Sequence, residues 1–428
     1  MVRQYLATHH EEPERKIHVP VKALKQCNNC SSTQNLKVCG SCASAGYCST
    51  ECQKRDWTSH KKTCLKSEKI DLRTFYVFIA ALFEVGREYG EPFVPPHPAL
   101  RHTIAQAPIP AVPTARKSTM PGEEPIYHTV ILGNKCEGDL LEDTSSWWGR
   151  NSRNTLSQED FGKIRRHFFR EVNIVEITIS ICFSLLAELY VAWAGNARGA
   201  VNGPYYRLEY AKSPICDFGI CKGKVHGDSH RVQVWSYHDP KTNTNHTLKD
   251  PDNHYWIYFT TITGEDITLD CSSSSFGMHV FVDAESLINE IPDFAKSGIS
   301  NRVPAILRGS QEHGPQPCTL IEEERFSIMQ NNELRTALVP NFPASDRPEH
   351  DHIIQEFIAK VQGRECTRRQ ENRVWRYRLM QARYIQRFMI GEVQKLLGKP
   401  ILRAKDHSPS PSLLPLNRAS REVYPSVL

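Results

Sequence analysis

Eight side chains that can bind a soft metal ion are crowded between residues 27 and 64. Seven of the chain's 14 cysteines fall in this stretch, together with one histidine. In chain order they are Cys27, Cys30, Cys39, Cys42, Cys48, Cys52, His60 and Cys64. Seven cysteines are an odd number for disulfides, whereas seven cysteines and one histidine fill two tetrahedral zinc sites with none left over. The residue types therefore predict two structural zinc ions.

The beginning of the chain agrees with a metal site rather than with disulfides. The first residues, "MVRQYLATHHEEPERKIHVP", lack the apolar core of a secretory signal. Cysteines in a reducing compartment bind metals more often than they pair with each other. We therefore expect an intracellular protein, in the nucleus, the cytoplasm or both.

The spacing of the eight ligands groups them into pairs. The first four cysteines form two C-x2-C pairs, in which a tight turn points two sulfurs at one ion. The last four ligands form two pairs spaced four residues apart, as on one face of a helix. Each zinc then takes one turn pair and one helix pair. This arrangement is interleaved. In the sequential alternative the first four ligands bind one ion and the last four bind the other, and spacing alone does not exclude it.

Residues 27 to 64 resemble the MYND zinc finger. The resemblance is carried by both C-x2-C pairs, by "YC" at Tyr47, by "CQ" at Cys52 and by "W-x2-H-x3-C" from Trp57. Ligation in that family is interleaved. The resemblance thus implies one zinc on Cys27, Cys30, Cys48 and Cys52, and a second zinc on Cys39, Cys42, His60 and Cys64.

The same resemblance implies a protein-interaction module that takes proline-rich peptides of the form P-x-L-x-P. The family's groove residues correspond to Gln53 and Trp57 in this chain. A proline-containing strand is already stiff, so it loses little entropy when it docks on an aromatic wall. The alternative for Trp57 is a core position between the two zinc sites.

Many MYND proteins are lysine methyltransferases in which the finger interrupts a SET domain. That architecture needs a glycine-containing cofactor segment before the finger, but only 26 residues precede Cys27. An "NHxC"-like motif is also missing. The sequence therefore predicts that the protein is not a SET methyltransferase.

A second enzyme hypothesis is a thiol hydrolase or transglutaminase-like site made of Cys182, His254 and Asp270. If the hairpin turns at Gly264, Asp270 lies opposite Phe259, five residues from His254 along its strand. At ~3.3 Å per residue this separates the two side chains by ~17 Å. Because that distance is too long for a hydrogen bond, the enzyme hypothesis is kept only as the alternative to an adaptor.

Another group of potential zinc ligands lies in "CDFGICKGKVHGDSH". It consists of Cys216, Cys221, His226 and His230. A C-x4-C pair is wider than the usual zinc turn. We therefore expect these residues to be neighbours by chance, in a polar hairpin loop.

The remaining chain is predicted to form one α+β domain, roughly residues 69 to 399, behind an N-terminal segment 1 to 26 and the finger. Residues 69 to 90 predict a helix, and prolines between residues 91 and 124 predict a linker or irregular segment. A Ser157/Asp160 cap opens one or two long helices. The stretches "YYRLEYA", "RVQVWSY", "HYWIYFTTITGEDITLDC" and "HVFVDAE" predict strands of an antiparallel sheet, and helices return after Arg325.

The longest apolar run, from Val175 to Gly195, is expected to be a core helix. It contains Glu176 and Glu188, and a carboxylate inside a bilayer is costly. No membrane segment is predicted.

One basic segment accounts for the positive charge of the chain. Residues 364 to 399 hold ten Lys/Arg against three Glu, a local charge of +7, whereas the whole chain is +5. Trp375 and Tyr377 interleave with the arginines, which would suit stacked bases and phosphates. An amphipathic helix with buried aromatics and solvated arginines explains the pattern as well, so nucleic acid is not an expected partner.

The last residues, 400 to 428, include "HSPSPSLLPLNRAS" and are expected to be disordered. Within them Pro411, Leu413 and Pro415 match P-x-L-x-P. The tail is therefore a candidate ligand for the finger of the same chain or of a second copy.

Overall fold

The computed structural model describes most of the chain between residues 15 and 389. The described residues are 15–17, 25–42, 45–62, 64, 67–88, 97–110, 126–135, 167–193, 205–227, 232–247, 249–278, 280–290, 301–309, 318–338 and 348–389. The expected Ser157/Asp160 cap and the tail from 400 to 428 lie outside these residues.

The α-helices of the described residues are α1 (Thr50–His60), α2 (Leu72–Glu88), α3 (Ile174–Leu189), α4 (Glu285–Glu290), α5 (Asn332–Leu338), α6 (Pro348–Gln362) and α7 (Arg368–Met389). Two 3₁₀ helices cover Pro98–Arg101 and Ser273–Phe276.

The strands are β1 (Arg15–Ile17), β2 (Lys37–Val38), β3 (Gly46–Tyr47), β4 (Ser67–Asp71), β5 (His102–Pro110), β6 (Ile126–Lys135), β7 (Val191–Trp193), β8 (Tyr205–Tyr210), β9 (Ser213–His226), β10 (Gln233–Asp239), β11 (Thr244–Thr247), β12 (His254–Thr261), β13 (Asp266–Asp270), β14 (Phe281–Asp283), β15 (Arg302–Pro304), β16 (Ile306–Gly309) and β17 (Thr319–Ser327).

A seven-stranded sheet forms the centre of the α+β domain. Its order is β16–β13–β12–β9–β8–β4, and β17 pairs with β9. A second sheet has the order β11–β10–β6–β5. Most pairings are antiparallel as predicted, but β4 runs parallel to β8 and β6 runs parallel to β10. The α+β class is confirmed, with a mixed rather than purely antiparallel sheet.

Helices α2 and α3 cover one face of the central sheet, and α7 packs against α3. The apolar cluster between them joins α2 residues such as Phe78, α3 residues such as Leu185 and strand residues such as Ile257. Helix α3 is buried along nearly its whole length. Its hydroxyl groups are hydrogen-bonded: Thr178 Oγ1 donates to the Ile174 carbonyl within the helix at 2.7 Å, and Ser184 Oγ donates to the Arg378 carbonyl of α7 at 3.2 Å.

The two glutamates of α3 lie in this buried layer and are both paired with α7. Arg373 Nη1 lies 3.3 Å from Glu176 Oε1, and Gln386 Nε2 donates to Glu188 Oε2 at 2.9 Å. Because buried carboxylates need such partners, these residues tie α3 to a neighbouring helix of the same domain. Among the described residues, no helix is both long and apolar enough to span a bilayer.

Two segments differ from the sequence prediction around α2. The predicted helix 69 to 90 begins at Leu72, because residues 69 to 71 belong to strand β4. Part of the proline-rich region is ordered rather than irregular, since it forms the 3₁₀ turn Pro98–Arg101 and strand β5. Proline is tolerated at both places, at the first positions of a helix and near the end of a strand.

The predicted polar hairpin loop around Cys216 is wrong, because this segment is the 14-residue strand β9. Two glycines made the segment resemble a loop, but they serve a close approach by β17. A Cβ at Gly219 would lie 2.0 Å from the Phe326 carbonyl oxygen, and one at Gly223 would lie 2.0 Å from the Ile321 carbonyl oxygen. Only glycine leaves room for the backbone of β17 there.

The basic segment is amphipathic, as predicted. Trp375 and Tyr377 are buried, whereas Arg376 and Arg383 are exposed. Arg378 is the exception, because it is buried and donates from Nη2 to the Leu338 carbonyl at 2.8 Å. The described aromatic rings of α7 thus belong to the core and do not form a base-stacking surface.

Candidate metal centres

The finger is built from one small hairpin and one helix. Strands β2 and β3 pair antiparallel, and Asn28 N donates to the Gly46 carbonyl to bring the first ligand turn beside β3. Helix α1 begins after Ser49, whose hydroxyl accepts from Cys52 N at 3.1 Å. The Tyr47 hydroxyl donates to Asp56 Oδ2 at 2.7 Å, so strand β3 is fixed to the helix. This frame holds all eight predicted ligands.

The first group of ligands has the dimensions of a zinc–tetrathiolate site. It consists of Cys27, Cys30, Cys48 and Cys52. Three of its S···S distances are 3.4, 3.6 and 3.8 Å. Four sulfurs at Zn–S ~2.3 Å in a tetrahedron lie about 3.8 Å apart. The residues therefore fit a zinc ion without rearrangement of the backbone.

The second group replaces one sulfur by an imidazole nitrogen. It consists of Cys39, Cys42, His60 and Cys64. Cys39 Sγ lies 3.8 Å from Cys64 Sγ, and Cys42 Sγ lies 3.6 Å from His60 Nε2. With Zn–N ~2.0–2.1 Å, the expected S···N edge is about 3.6 Å. The chain thus provides two sites that fit two zinc ions, and their ligands are interleaved.

The helix carries fewer ligands than the spacing predicted. Cys48 precedes the Ser49 cap and Cys64 follows the end of α1 at His60, so only Cys52 and His60 lie on the helix. These two residues belong to different zinc sites. Helix α1 therefore connects the two metal centres, a feature that the i,i+4 spacing did not indicate.

The pKa values of the thiols suit a cation at each site. Burial raises the pKa of Cys27, but the backbone N–H groups of Cys48 and Cys30 help lower it to about 6. Burial likewise raises the pKa of Cys39, and the N–H of Cys42 helps lower it to about 7. The hydrogen bond with Cys30 raises the pKa of Cys48 to about 12. Sulfurs this close cannot all ionise without a cation, and a bound zinc would replace the remaining protons.

All four positions of each site are filled by protein side chains. A catalytic zinc keeps one position open for water or substrate, whereas a structural zinc does not. When bound, zinc would therefore hold the fold of the finger. A polar contact supports the first site from outside, since Asn29 Nδ2 donates to Cys52 Sγ at 3.4 Å.

The surface of α1 carries one large exposed aromatic ring. Trp57 is 46% exposed, so it does not pack between the zinc sites as a core residue. The centroid of its ring lies 5.9 Å from that of His60, so the indole packs against a ligand of the second metal site. Gln53, one turn earlier, is partly exposed.

The fold and ligands of residues 27 to 64 define a small structural zinc finger with two interleaved sites. The family model for the MYND finger matches these residues, 27–64, so this part of the chain is a MYND finger. The MYND finger is a protein–protein interaction module.

Two curated relatives match short stretches of the chain. "Histone-lysine N-methyltransferase ASHR1" of Arabidopsis thaliana is 41% identical over 39 residues, which are 9% of this chain and 8% of that protein. "Tudor domain-containing protein 1" of Danio rerio is 36% identical over 55 residues, 13% of this chain and 5% of that protein. No solved structure matches the chain. The similarity to a methyltransferase thus concerns the finger alone.

The predicted separation of His254 and Asp270 is wrong. His254 Nε2 lies 2.8 Å from Asp270 Oδ2, and both side chains are buried. The hairpin closes three residues earlier than expected, because Thr260 pairs with Asp266 and leaves a five-residue loop. Asp270 therefore lies near Trp256, on the same face of the sheet as His254.

Cys182 does not join this pair. Its sulfur contacts the Gly219 carbonyl at 3.9 Å from helix α3, and burial raises its pKa. Helix α3 packs against the sheet face that carries Tyr255 and Ile257. His254 and Asp270 point to the opposite face, because side chains alternate along a strand. The Cys–His–Asp site of the alternative enzyme hypothesis is therefore not formed.

Cys216 and Cys221, from the second group of potential zinc ligands, do not converge, in agreement with the expectation that this group is not a metal site. Cys216 and Cys221 are five residues apart in strand β9, so they point to opposite faces. Cys221 Sγ contacts Glu322 Oε2 at 3.2 Å. His226 lies at the end of the strand, and His230 is outside the described residues.

The sequence analysis missed a buried histidine–carboxylate cluster beside the second sheet. Glu171 Oε1 lies 2.9 Å from His167 Nε2, and Glu171 Oε2 lies 3.3 Å from His97 Nε2. Burial lowers the pKa of both histidines, to about 3 for His167. The i,i+4 spacing of His167 and Glu171 was a signal, but nothing in the sequence pointed to His97.

Proposed function

We propose that the protein is an intracellular adaptor whose finger binds proline-rich peptides of the form P-x-L-x-P. The observation that carries this proposal is the exposed indole of Trp57. An exposed tryptophan on a rigid, metal-held helix is typical of an interaction surface, because it offers a large apolar area at low entropic cost.

The adjacent side chain provides a polar contact. Gln53 precedes Trp57 by four residues, so both lie on one face of α1. An extended proline-rich segment has free carbonyl groups, and a glutamine amide can donate to them. The resemblance to the MYND family supports the same two residues as the lining of the groove.

We predict that Trp57→Ala weakens binding of a P-x-L-x-P peptide at least about tenfold, because aromatic anchors typically contribute about 2 kcal/mol or more to an interface. Both zinc ions stay bound, since Trp57 is not a ligand. Titration of the full chain with a fluorescent peptide and elemental analysis measure the two quantities. Ser59→Ala is the matched control, because Ser59 is exposed on the opposite side of α1. Equal affinities for all three proteins would contradict the proposal.

We further propose that the tail of the chain competes for this groove. Pro411, Leu413 and Pro415 match the peptide motif. A tethered ligand acts at an effective concentration of ~mM when its linker spans the distance. Even a weak internal ligand would then mask the groove in part.

Removal of the tail after Ser410 is expected to raise the affinity for an external P-x-L-x-P peptide. For an internal ligand with a Kd of ~1 mM, the gain is about twofold. Titrations of the full chain and of the chain ending at Ser410 measure it. If both proteins bind the peptide equally, the tail does not compete.

A further inference from the structure

Two lysines flank Trp57 on the surface of α1. Lys54 precedes Trp57 by three residues and Lys61 follows it by four, spacings that place side chains ~5–6 Å apart at Cβ. Although α1 ends at His60, Lys61 still has helical dihedral angles, φ −54° and ψ −27°. Both lysines are exposed. The indole is therefore bordered by a positive charge on each side along the helix.

Neither lysine has an ion-pair partner among the described residues. Asp56, the acidic residue next to Trp57 in the chain, is held by the Tyr47 hydroxyl at 2.7 Å. A cation at Lys61 also stabilises the negative end of the helix dipole, but Lys54 lies two turns from that end and gains little from it. Both charges remain open to a ligand that docks on Trp57.

We infer that the finger prefers proline-rich peptides with a phosphoserine, or another acidic group, just before the P-x-L-x-P motif. This inference rests on the proposed function. It adds a charge requirement to the apolar one: an anchor leucine contacts Trp57, and the anion contacts Lys54 or Lys61, depending on the direction in which the peptide runs along α1.

The chain's own tail contains such an arrangement. Ser408 and Ser410 precede Pro411, and Ser410 is three residues before Leu413. In a polyproline II strand three residues span ~9 Å. A lysine one helical turn from the indole covers this distance with its four-carbon side chain. Phosphorylation of Ser410 would then strengthen, rather than release, the contact with the finger.

Two peptides of residues 406–418, with and without phosphate on Ser410, test the inference. The receptor is the full zinc-loaded chain with Leu413→Ala, which removes the competing tail motif. We expect the phosphopeptide to bind about tenfold more tightly at low salt, because one charge-assisted contact is added. Lys54→Gln combined with Lys61→Gln abolishes this difference and leaves the affinity of the unphosphorylated peptide unchanged. Lys37→Gln combined with Lys212→Gln, two exposed lysines outside α1, is the charge-matched control.

The outcomes separate this inference from the proposed function. If both peptides bind equally and Trp57→Ala weakens the binding of both, the charge preference is wrong, but the proposal that the finger binds P-x-L-x-P peptides at Trp57 is retained. If neither peptide binds, or if Trp57→Ala has no effect, the proposed function fails. A phosphopeptide with Leu413→Ala, and a single-stranded oligonucleotide, complete the test. If either binds as tightly as the complete phosphopeptide, the lysines bind phosphate without the motif and the inference is overturned.

Discussion

His60→Ala or Cys48→Ser is expected to unfold the finger and leave the α+β domain folded. Structural zinc contributes ~10–16 kcal/mol of apparent binding free energy in finger peptides, far more than the apolar contacts of so small a module. Each substitution removes one ligand from a closed site. Because Cys52 and His60 join the two sites through α1, damage at one site also removes support from the other.

Elemental analysis should find two zinc ions in the wild-type chain and fewer than two in either variant. Hydrogen–deuterium exchange should rise throughout residues 27–64 and stay unchanged in α2 and α3. Ser59→Ala, next to the ligand His60, is the control that keeps both ions. One zinc or none in the pure wild-type protein would contradict the two-site assignment.

Asp270→Ala is expected to destabilise the α+β domain by about 3 kcal/mol or more. The carboxylate accepts from the backbone N–H of Ser272 at 2.8 Å and of Ser273 at 3.0 Å, and it pairs with His254. All these groups are buried, so the substitution leaves several polar atoms without partners. Removal of one member of a buried pair typically costs ~3–5 kcal/mol.

Denaturant unfolding followed by tryptophan fluorescence measures this loss as a lower midpoint. Asp252→Ala is the matched control, because Asp252 is exposed in the turn before β12. Exposed positions of this kind change stability by less than ~0.5 kcal/mol. If the two variants unfold at the same midpoint, the His254–Asp270 pair does not stabilise the fold.

The metal sites could be predicted from the sequence because all their ligands lie within one short segment of the chain. The ligand types and the C-x2-C turns lie within a few residues of each other, and the family resemblance fixed the interleaved order. The extent of α1 was harder to predict. The Ser49 cap decides where the helix begins, and it places Cys48 just outside.

The register of β12 and β13 could not be predicted from alternation alone. A loop is closed here by a side chain, since Glu265 N donates to Thr261 Oγ1 at 3.0 Å. That contact shifts every pair along the hairpin and brings Asp270 to His254. Strand β9 was missed for a related reason. Gly219 and Gly223 are needed because the backbone of β17 packs closely against them, and β17 is distant in sequence.

Strand β17 affects whether copies of the protein associate through a sheet edge at high concentration. Among the described strands it pairs only with β9, so its other edge meets no described strand. Such an edge invites a second copy to add itself as a further strand. The middle of β17 is Glu322, Glu323 and Glu324, all exposed. Two copies meeting antiparallel about this midpoint would set glutamate against glutamate and would compete with the ion pairs that Glu323 and Glu324 make with Lys224 and Lys222, which is destabilising. The edge thus opposes aggregation through the charge pattern of its own sequence.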